Sequence, residues 1–555
     1  MGTSARTGAR RRAGTGRRLR GADTGFLLVE SESQTSTCTH VVVLEPGDEP
    51  GDDGAGGPGL DLSTLTARVA ERLDRLPHLR RRLHLVPGGI GHPVLADDPD
   101  FRLEDHVLHA RLGPVELAAG EPFAQLNAFL ATVSGTRLPL DRPLWRLTLV
   151  EGMSDGSRAL VLQLHHALGD GAATTALITE LLDDRATGRP PLVEAADLRP
   201  HPAPRPALLF LATLARQLVV WLSLPWMVVH GVRRLRAVRE RRAAAPVRAP
   251  AMLEDAPRTV LDVSADDRRA YGRCVLSLRS LREVRDAAAA EWGKVGLSDV
   301  LVTAVAGALR DHLLARDALP AEPLVVNVPL GDDGPQAAPR VRGNAFVNYY
   351  AVLATHLADP LERLLATARN DAEAKAQLEL RGRETLVRWL DRLPPALLAR
   401  AARSAAEKAS SAAVDPDYNV VVSNLRFERA GWRTLGHRVR AAFLTGPVTD
   451  GHGLNVTVTG FGDDVHVAVH SNPAAVPDPQ AVADGIAAHL TLLRTVLTPV
   501  PGAAAPGLTP WSSVGAEVLV APPDRHGRTP AGASDPTIDP TSNRASDRDS
   551  NEVAR

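Results

Sequence analysis

Cysteine is scarce in this chain: only Cys38 and Cys274 occur among 555 residues. Two thiols build neither a disulfide framework nor a cysteine-rich metal site, and they fit a reducing cytosol. Aromatic residues make up 4 % of the chain, so aliphatic side chains must fill the core, and a hydrophobic share of 44 % is enough for a large one. Charge of one sign is lacking too. With 64 basic and 65 acidic residues the net charge is −1, which gives no global field for nucleic acid. Glycine-rich phosphate loops of the Walker or Rossmann type are missing, and so is a Gly-x-Ser-x-Gly nucleophile elbow. His106 and His109 stand close together, but no cluster of carboxylates or cysteines supports a metal there, so no metal site is expected.

What is present centres on His165-His166-Ala167-Leu168-Gly169-Asp170-Gly171. The apolar run 158–164 before it has the length of a strand. The run 172–182 after it places Ala173, Leu177 and Leu181 on one helical face. The paired histidines therefore stand where a strand ends and a helix begins. Gly169 and Gly171 allow a sharp turn without a Cβ in the way. A histidine at such a turn has the right basicity to take a proton from an alcohol near neutral pH. An aspartate four residues on is placed to fix the ring or the turn.

This string resembles the HHxxxDG motif of the acyl-CoA-dependent acyltransferases. That superfamily includes chloramphenicol acetyltransferase-like enzymes, condensation domains and the bacterial wax ester synthase/diacylglycerol acyltransferases. Further segments resemble the last of these. Leu138-Pro-Leu-Asp-Arg-Pro-Leu-Trp145 is similar to its "PLDRPLW" segment, and Pro139 and Pro143 make an extended approach to a strand from Trp145 to Val150. The helical stretch 296–310 is similar to "NDVVLAAVAGALR", with Ser298, a plausible N-cap, where the family has Asn, and with Asp299 kept. Leu324–Leu330 matches a "VPVSLR" strand except that Gly331 replaces its polar end. Gly343-Asn344 matches a "GN" ahead of a strand, and Val420–Leu425 a strand ending in "SN", although 426–428 departs from "VPGP". Gly446-Pro447 and Gly453-Leu-Asn455 match a "GP…GLN" pair, with a hairpin turn at Phe461–Asp464.

The resemblance runs from about residue 23 to 497 and implies an α/β fold: two chloramphenicol acetyltransferase-like domains, mixed sheets flanked by helices, and an active-site tunnel between them. It divides the chain into a disordered basic arm (1–20), an N-terminal domain with the histidine motif (21–190), a linker with an apolar and basic helix (191–257), a C-terminal domain (258–500) and a disordered tail (501–555). It implies no cofactor: acyl-CoA, as co-substrate, gives a long-chain acyl group to diacylglycerol and/or a long-chain alcohol. His166 is then the general base, His165 a supporting catalytic residue, Asp170 the third, holding the turn, and Gly171 a structural turn residue. By family position Leu144, Trp145, Asp299, Asn344, Ser423 and Asn424 contact substrate. A polyketide- or glycolipid-directed acyltransferase and a catalytically silent lipid-binding relative stand as alternatives.

Two stretches bear on location. Residues 1–20 hold seven arginines and no apolar run behind them, so they read as an unstructured extension or as an arm for anionic membranes, not as a secretory signal. Residues 206–229 are apolar, but Arg216 would cost about 2.5–3.5 kcal/mol at a bilayer centre, and Pro225 is expected to interrupt the helix. No uninterrupted apolar run reaches the length of a span. With Arg233, Arg234, Arg236, Arg239, Arg241 and Arg242 following, the stretch reads as an interfacial helix or as a buried crossover between halves. The expected place is cytoplasmic, peripheral to the inner face of the plasma membrane or to lipid droplets. Helices are expected over 23–30, 60–76, 359–378 and 383–409, and a strand over 39–44.

Overall fold

The computed structural model describes residues 17–46, 60–113, 123–186, 190, 192–193, 197–252, 254, 256–333, 337–409, 415–427 and 431–498. Strand β1 (Arg17–Arg18) leads into helix α1 (Gly21–Leu28), and the wholly buried strand β2 (Thr37–Leu44) follows. Asp61 accepts from Thr64 N–H at 2.8 Å and starts α2 (Leu62–Leu73), whose Leu65, Val69 and Leu73 are buried as helical spacing requires. That helix stops at Leu73, short of Leu76, because Pro77 opens a separate tight turn, Pro77–Arg80. Strands β3 (Arg81–His84), β4 (Val94–Asp97) and β5 (Val107–Arg111) come next, then α3 (Ala124–Ser134), β6 (Trp145–Glu151), β7 (Arg158–His165) and α4 (Gly171–Leu182).

Helix α5 (Pro206–Ala244) joins the halves and corrects two expectations. It continues unbroken through Pro225 for 39 residues. Pro225 removes one N–H from the ladder, but it lies on the exposed side and the flanking turns carry on. The helix is long and apolar enough to cross a membrane by length and composition, which the interrupted reading denied. Nor is it a buried crossover: Leu209, Thr213, Met227 and Val238 are its buried residues, and most of the others face outward.

The second half runs β8 (Ala270–Ser277), α6 (Leu278–Trp292), α7 (Leu297–Leu314), β9 (Leu324–Gly331), β10 (Phe346–Leu353), α8 (Pro360–Arg381), α9 (Glu384–Leu390) and α10 (Pro395–Ala409). One helix was expected over 383–409; Pro394 and Pro395 split it in two. Then come β11 (Val420–Phe427), β12 (Arg433–Thr434), β13 (His437–Thr445), β14 (Leu454–Phe461), β15 (Asp464–Ser471) and α11 (Pro479–Leu497). Gly462, at φ +62°, supplies the left-handed residue in the tight turn from β14 to β15.

The described strands form two six-stranded sheets and one of three, in the orders β10-β9-β11-β14-β15-β8, β12-β13-β2-β7-β6-β5 and β1-β4-β3. Both large sheets are mixed: β11 runs parallel to β9 and β14, and β5 parallel to β6, while the other neighbours are antiparallel. The domain boundary at 258 needs correction. Strands β12 and β13 belong by sequence to the second half, yet β13 pairs with β2, Thr445 opposite Thr39 and Val439 opposite Leu44. The alternating run His437–Thr445 buries its apolar side chains only on that sheet. Between the sheets Val41, Val161 and Phe443 pack with Tyr271 and Ala468, which joins the halves by an apolar seam.

Arg17, Arg18 and Arg20 also need correction. β1 pairs with β4, Arg18 donates to His92 O at 3.0 Å and to Thr213 Oγ1 at 2.8 Å, and Arg20 heads α1. The rest of the expected arm, 1–16, lies outside the described residues, as do the tail from 501, most of the Gly/Asp/Pro loop 46–59 and residue 428 of the altered segment.

Candidate active site

Strand β7 ends at His165, and α4 begins at Gly171, so the histidine motif is a strand-to-helix turn. Asp170 heads the helix, its Oδ1 accepting from Ala173 N–H at 3.0 Å. Gly171 lies close against β11: a Cβ there would stand 2.6 Å from Leu425 Cδ1, so a larger residue would have to displace that side chain. The turn meets a loop of the second half, residues 340–345. Gly343 N–H donates to Leu168 O at 2.5 Å, and Gly343 takes φ +79°, a backbone state that favours glycine.

The two histidines have different surroundings. His165 is fully buried. Ala167 N–H donates to its Nδ1 at 3.0 Å, so Nε2 carries the proton, 3.5 Å from Glu30 Oε1. Burial pulls the Glu30 carboxyl upward, but His165, the Ser36 N–H and Arg137 together outweigh it and hold the group below the ordinary range.

His166 is half-buried. Asn344 fixes its ring. The Asn344 amide nitrogen donates to Asp23 Oδ1 and to His166 O, both at 2.8 Å, which leaves Asn344 Oδ1 as acceptor for His166 Nδ1–H at 2.9 Å. Nε2 is then the nitrogen with the lone pair. Phe26 stacks on the ring at 3.8 Å, and Phe346 stands edge-on at 5.8 Å. Burial lowers the His166 pKa to about 4; Asp170 and Asn344 oppose that shift without cancelling it. The imidazole is therefore neutral at physiological pH, as a base must be. Asp23 is buried and its carboxyl raised by that burial, against the contacts with Asn344 and Arg20.

Asp170 does not bond either imidazole. Its Oδ2 accepts from Ala345 N–H at 2.9 Å and from Arg340, which also bonds Asp333. It is a positioning residue that clamps the two halves.

The other expected substrate contacts are scattered. Asn344 meets His166. Leu144 and Trp145 are fully buried in the first core, with Trp145 Nε1–H donating to Leu79 O at 2.7 Å and its ring stacked on His106 at 4.7 Å. They pack in that core, and Leu144 O accepts from His165 N–H at 3.0 Å. His109 pairs with Glu151 at 2.7 Å, and among the described residues no group of three metal-ligating side chains gathers. Asp299 accepts from Gly296 N–H at 2.7 Å in the first turn of α7, so Gly296, not Ser298, is the cap. Burial and the adjacent Asp371 raise the Asp299 pKa to about 6. Ser423 is half-buried and Asn424 exposed on β11, and neither bonds a histidine of the motif among the described residues. Sequence reasoning missed Asp23, Phe26, Glu30 and Arg340. The first three lie in an N-terminal stretch whose only legible signal was a short helix.

Residues 19–293 match the wax ester synthase/diacylglycerol acyltransferase catalytic domain, and 342–494 match the C-terminal domain of the same family. A Mycobacterium tuberculosis protein provisionally named as a diacylglycerol O-acyltransferase is 30 % identical over 482 residues, covering 86 % of this chain and 97 % of its own. The wax ester synthase/diacylglycerol acyltransferase of Marinobacter aquaeolei VT8 has a similar fold, with a TM-score of 0.59 and 22 % identity over 87 % of this chain and 99 % of that one. The first condensation domain of the calcium-dependent antibiotic synthetase shares the architecture, with a TM-score of 0.52 and 15 % identity over 88 % and 97 %. The chain thus belongs to the wax ester synthase/diacylglycerol acyltransferase family and is an acyltransferase of that family.

Proposed function

We propose that this acyltransferase moves a long-chain acyl group from acyl-CoA to the hydroxyl of diacylglycerol or of a long-chain alcohol, with His166 as general base. The observation that carries the reading is the His166 ring: neutral, its Nδ1–H held by Asn344 and its Nε2 left with a lone pair. Nε2 takes the acceptor's hydroxyl proton as the oxygen attacks the thioester carbonyl carbon. The C–O bond forms, the C–S bond breaks, and the proton passes from Nε2 to the leaving thiolate of CoA. Ester and free CoA result. Asn344 accepts the Nδ1–H throughout and stabilises the imidazolium as it forms, while Asp23 holds the Asn344 amide in that orientation.

The test is transfer from labelled palmitoyl-CoA by purified protein, with diacylglycerol and hexadecanol offered separately. Labelled triacylglycerol or wax ester, lost in His166→Ala, supports the reading and ranks the acceptors. Release of free palmitate alone, or transfer that survives His166→Ala, overturns it.

A further inference from the structure

Helix α5 lies against the body along one narrow stripe. Arg18 donates to Thr213 Oγ1 at 2.8 Å and Gln217 Nε2–H to Ile90 O at 2.9 Å; further along, Arg234 donates to Arg381 O at 3.0 Å and Arg241 pairs with Glu373 at 2.6 Å. Leu209, Met227 and Val238 are buried along the same stripe, and most of the remaining side chains face outward. From Pro206 to Val232 the outward side is almost wholly apolar, with Leu218 66 %, Trp221 61 % and Leu222 78 % exposed, and Arg216 is its single charged residue. Helical rise makes this strip about 40 Å long. An apolar surface of that extent demands a cover.

The character then changes within one turn. Arg233, Arg236 and Arg239 are exposed and have no carboxylate partner among the described residues, and Glu240 is the single acid between 233 and 242. Three exposed, like-charged guanidinium groups on one helix end suit an anionic surface. At the transition Trp226, stacked on His230 at 4.4 Å, lines a cavity of about 460 Å³ with Arg234 and, from α9, Trp389. Tryptophan and arginine at the point where an apolar strip becomes basic are the groups that settle at the headgroup level of a lipid layer.

We propose that α5 is a docking surface for an anionic lipid layer: its outward strip sinks among the acyl chains in the plane of the surface, and Arg233, Arg236 and Arg239 meet lipid phosphates. The body contacts decide the orientation. They run from Thr213 to Arg241, about 42 Å of helix, more than the roughly 30 Å of a hydrocarbon core. A crossing by the apolar stretch would carry Thr213 and Gln217 into hydrocarbon and strip their contacts, whereas lying in the surface keeps all four. The docking face is also linked to the histidine motif through α9 and α1. Asp391, directly after α9, accepts from Gly21 N–H at 2.6 Å, and that N–H heads α1, which holds Phe26 over His166.

The test uses the full chain and sucrose-loaded vesicles, sedimented without any acyl substrate, so that its outcome is independent of the proposed reaction. Phosphatidylcholine vesicles containing phosphatidylglycerol are expected to bind the protein far more tightly than phosphatidylcholine alone, and concentrated salt should weaken the binding. Reversing Arg233, Arg236 and Arg239 to Glu should lower affinity on the order of a hundredfold. Leu218→Asp with Leu222→Asp should lower it on the order of tenfold or more. All five side chains are exposed, so circular dichroism and melting should match the parent. Equal binding to neutral and anionic vesicles overturns the proposal. So does a lipid-free dimer, seen by sedimentation and lost in the leucine variant, since a second copy would then be the cover. Vesicle-bound protein that resists alkaline carbonate overturns the in-plane orientation in favour of a span.

Discussion

Two aspartates stand at the heads of two helices. Asp170 precedes α4, Asp299 lies in the first turn of α7, and each accepts a backbone N–H there. Their second oxygens diverge. That of Asp170 leaves its half of the molecule for Arg340 and Ala345, and the loop it captures delivers Asn344 to His166. The carboxyl of Asp299 stays within the second half beside Asp371, which is itself bound by Tyr349 and Lys375. One capping rule thus produces a joint between halves in the first case and a closed polar pocket in the second. Burial favours the neutral form at both places: it lowers the pKa of His166 to about 4, against the charge of Asp170, and with Asp371 it raises that of Asp299 to about 6.

The largest expected effect lies at the joint. His166→Ala should lower turnover by about 10²–10⁴-fold, the usual loss of a general base, with the far-ultraviolet spectrum unchanged. Asp170→Asn keeps a capping oxygen but uncouples Arg340 from a buried partner. Melting should show a loss of about 3 kcal/mol, with turnover falling because Asn344 is no longer held. Asn344→Ala removes one hydrogen bond to a ring that becomes charged in the reaction, a loss of about 1.5–3 kcal/mol or roughly ten- to a hundredfold in kcat/KM. Because the Asn344 contact raises the His166 pKa, the acid limb of the kcat/KM profile should also move to lower pH in that variant. An unshifted limb would assign Asn344 to folding alone.

The smallest effect is a pair of slopes. His166 titrates near 4 when folded against 6.5 when unfolded, so the unfolded chain binds the proton more readily between those values. Its contribution to stability grows as pH rises from about 4 and is complete above 6.5. Asp299 titrates near 6 when folded against 3.8 when unfolded, so its contribution is complete below 3.8 and is lost as pH rises through 6. Across pH 4 to 6, melting temperatures of His166→Gln should therefore climb less steeply with pH than the parent's, and those of Asp299→Asn more steeply. Identical slopes in all three proteins would show that neither group titrates as its surroundings dictate.

The turn around His165 and His166 was legible because a strand period, two glycines and a helix period meet within a few residues. So were the buried strand around Val41 and the hairpin at Gly462. Asn344 was legible only as a family position, and its bond to His166 was not, since it spans 178 residues of sequence. Trp145 was legible as the start of a strand, but its stacking on His106 was not, since 39 residues separate the two. The continuity of α5 was hidden by Pro225, whose local rule breaks helices but yields on an exposed face. Strand exchange left no local trace at all: His437–Thr445 reads as a strand, but nothing in its spacing names β2 as its partner.

That exchange has a consequence for how the chain is made. During synthesis at roughly 5–20 residues per second, β2 emerges early and its neighbour β13 only after most of the chain has followed. For tens of seconds Thr37–Leu44, a valine-rich strand buried at every position in the finished protein, has one hydrogen-bonding edge uncovered. Open edges of that composition recruit other strands. A nascent chain, or a fragment cut to the catalytic-domain match at residues 19–293, is in that sense half of a zip fastener whose other row arrives last. Supplying residues 437–445 in trans is what such a fragment would need to stay in solution.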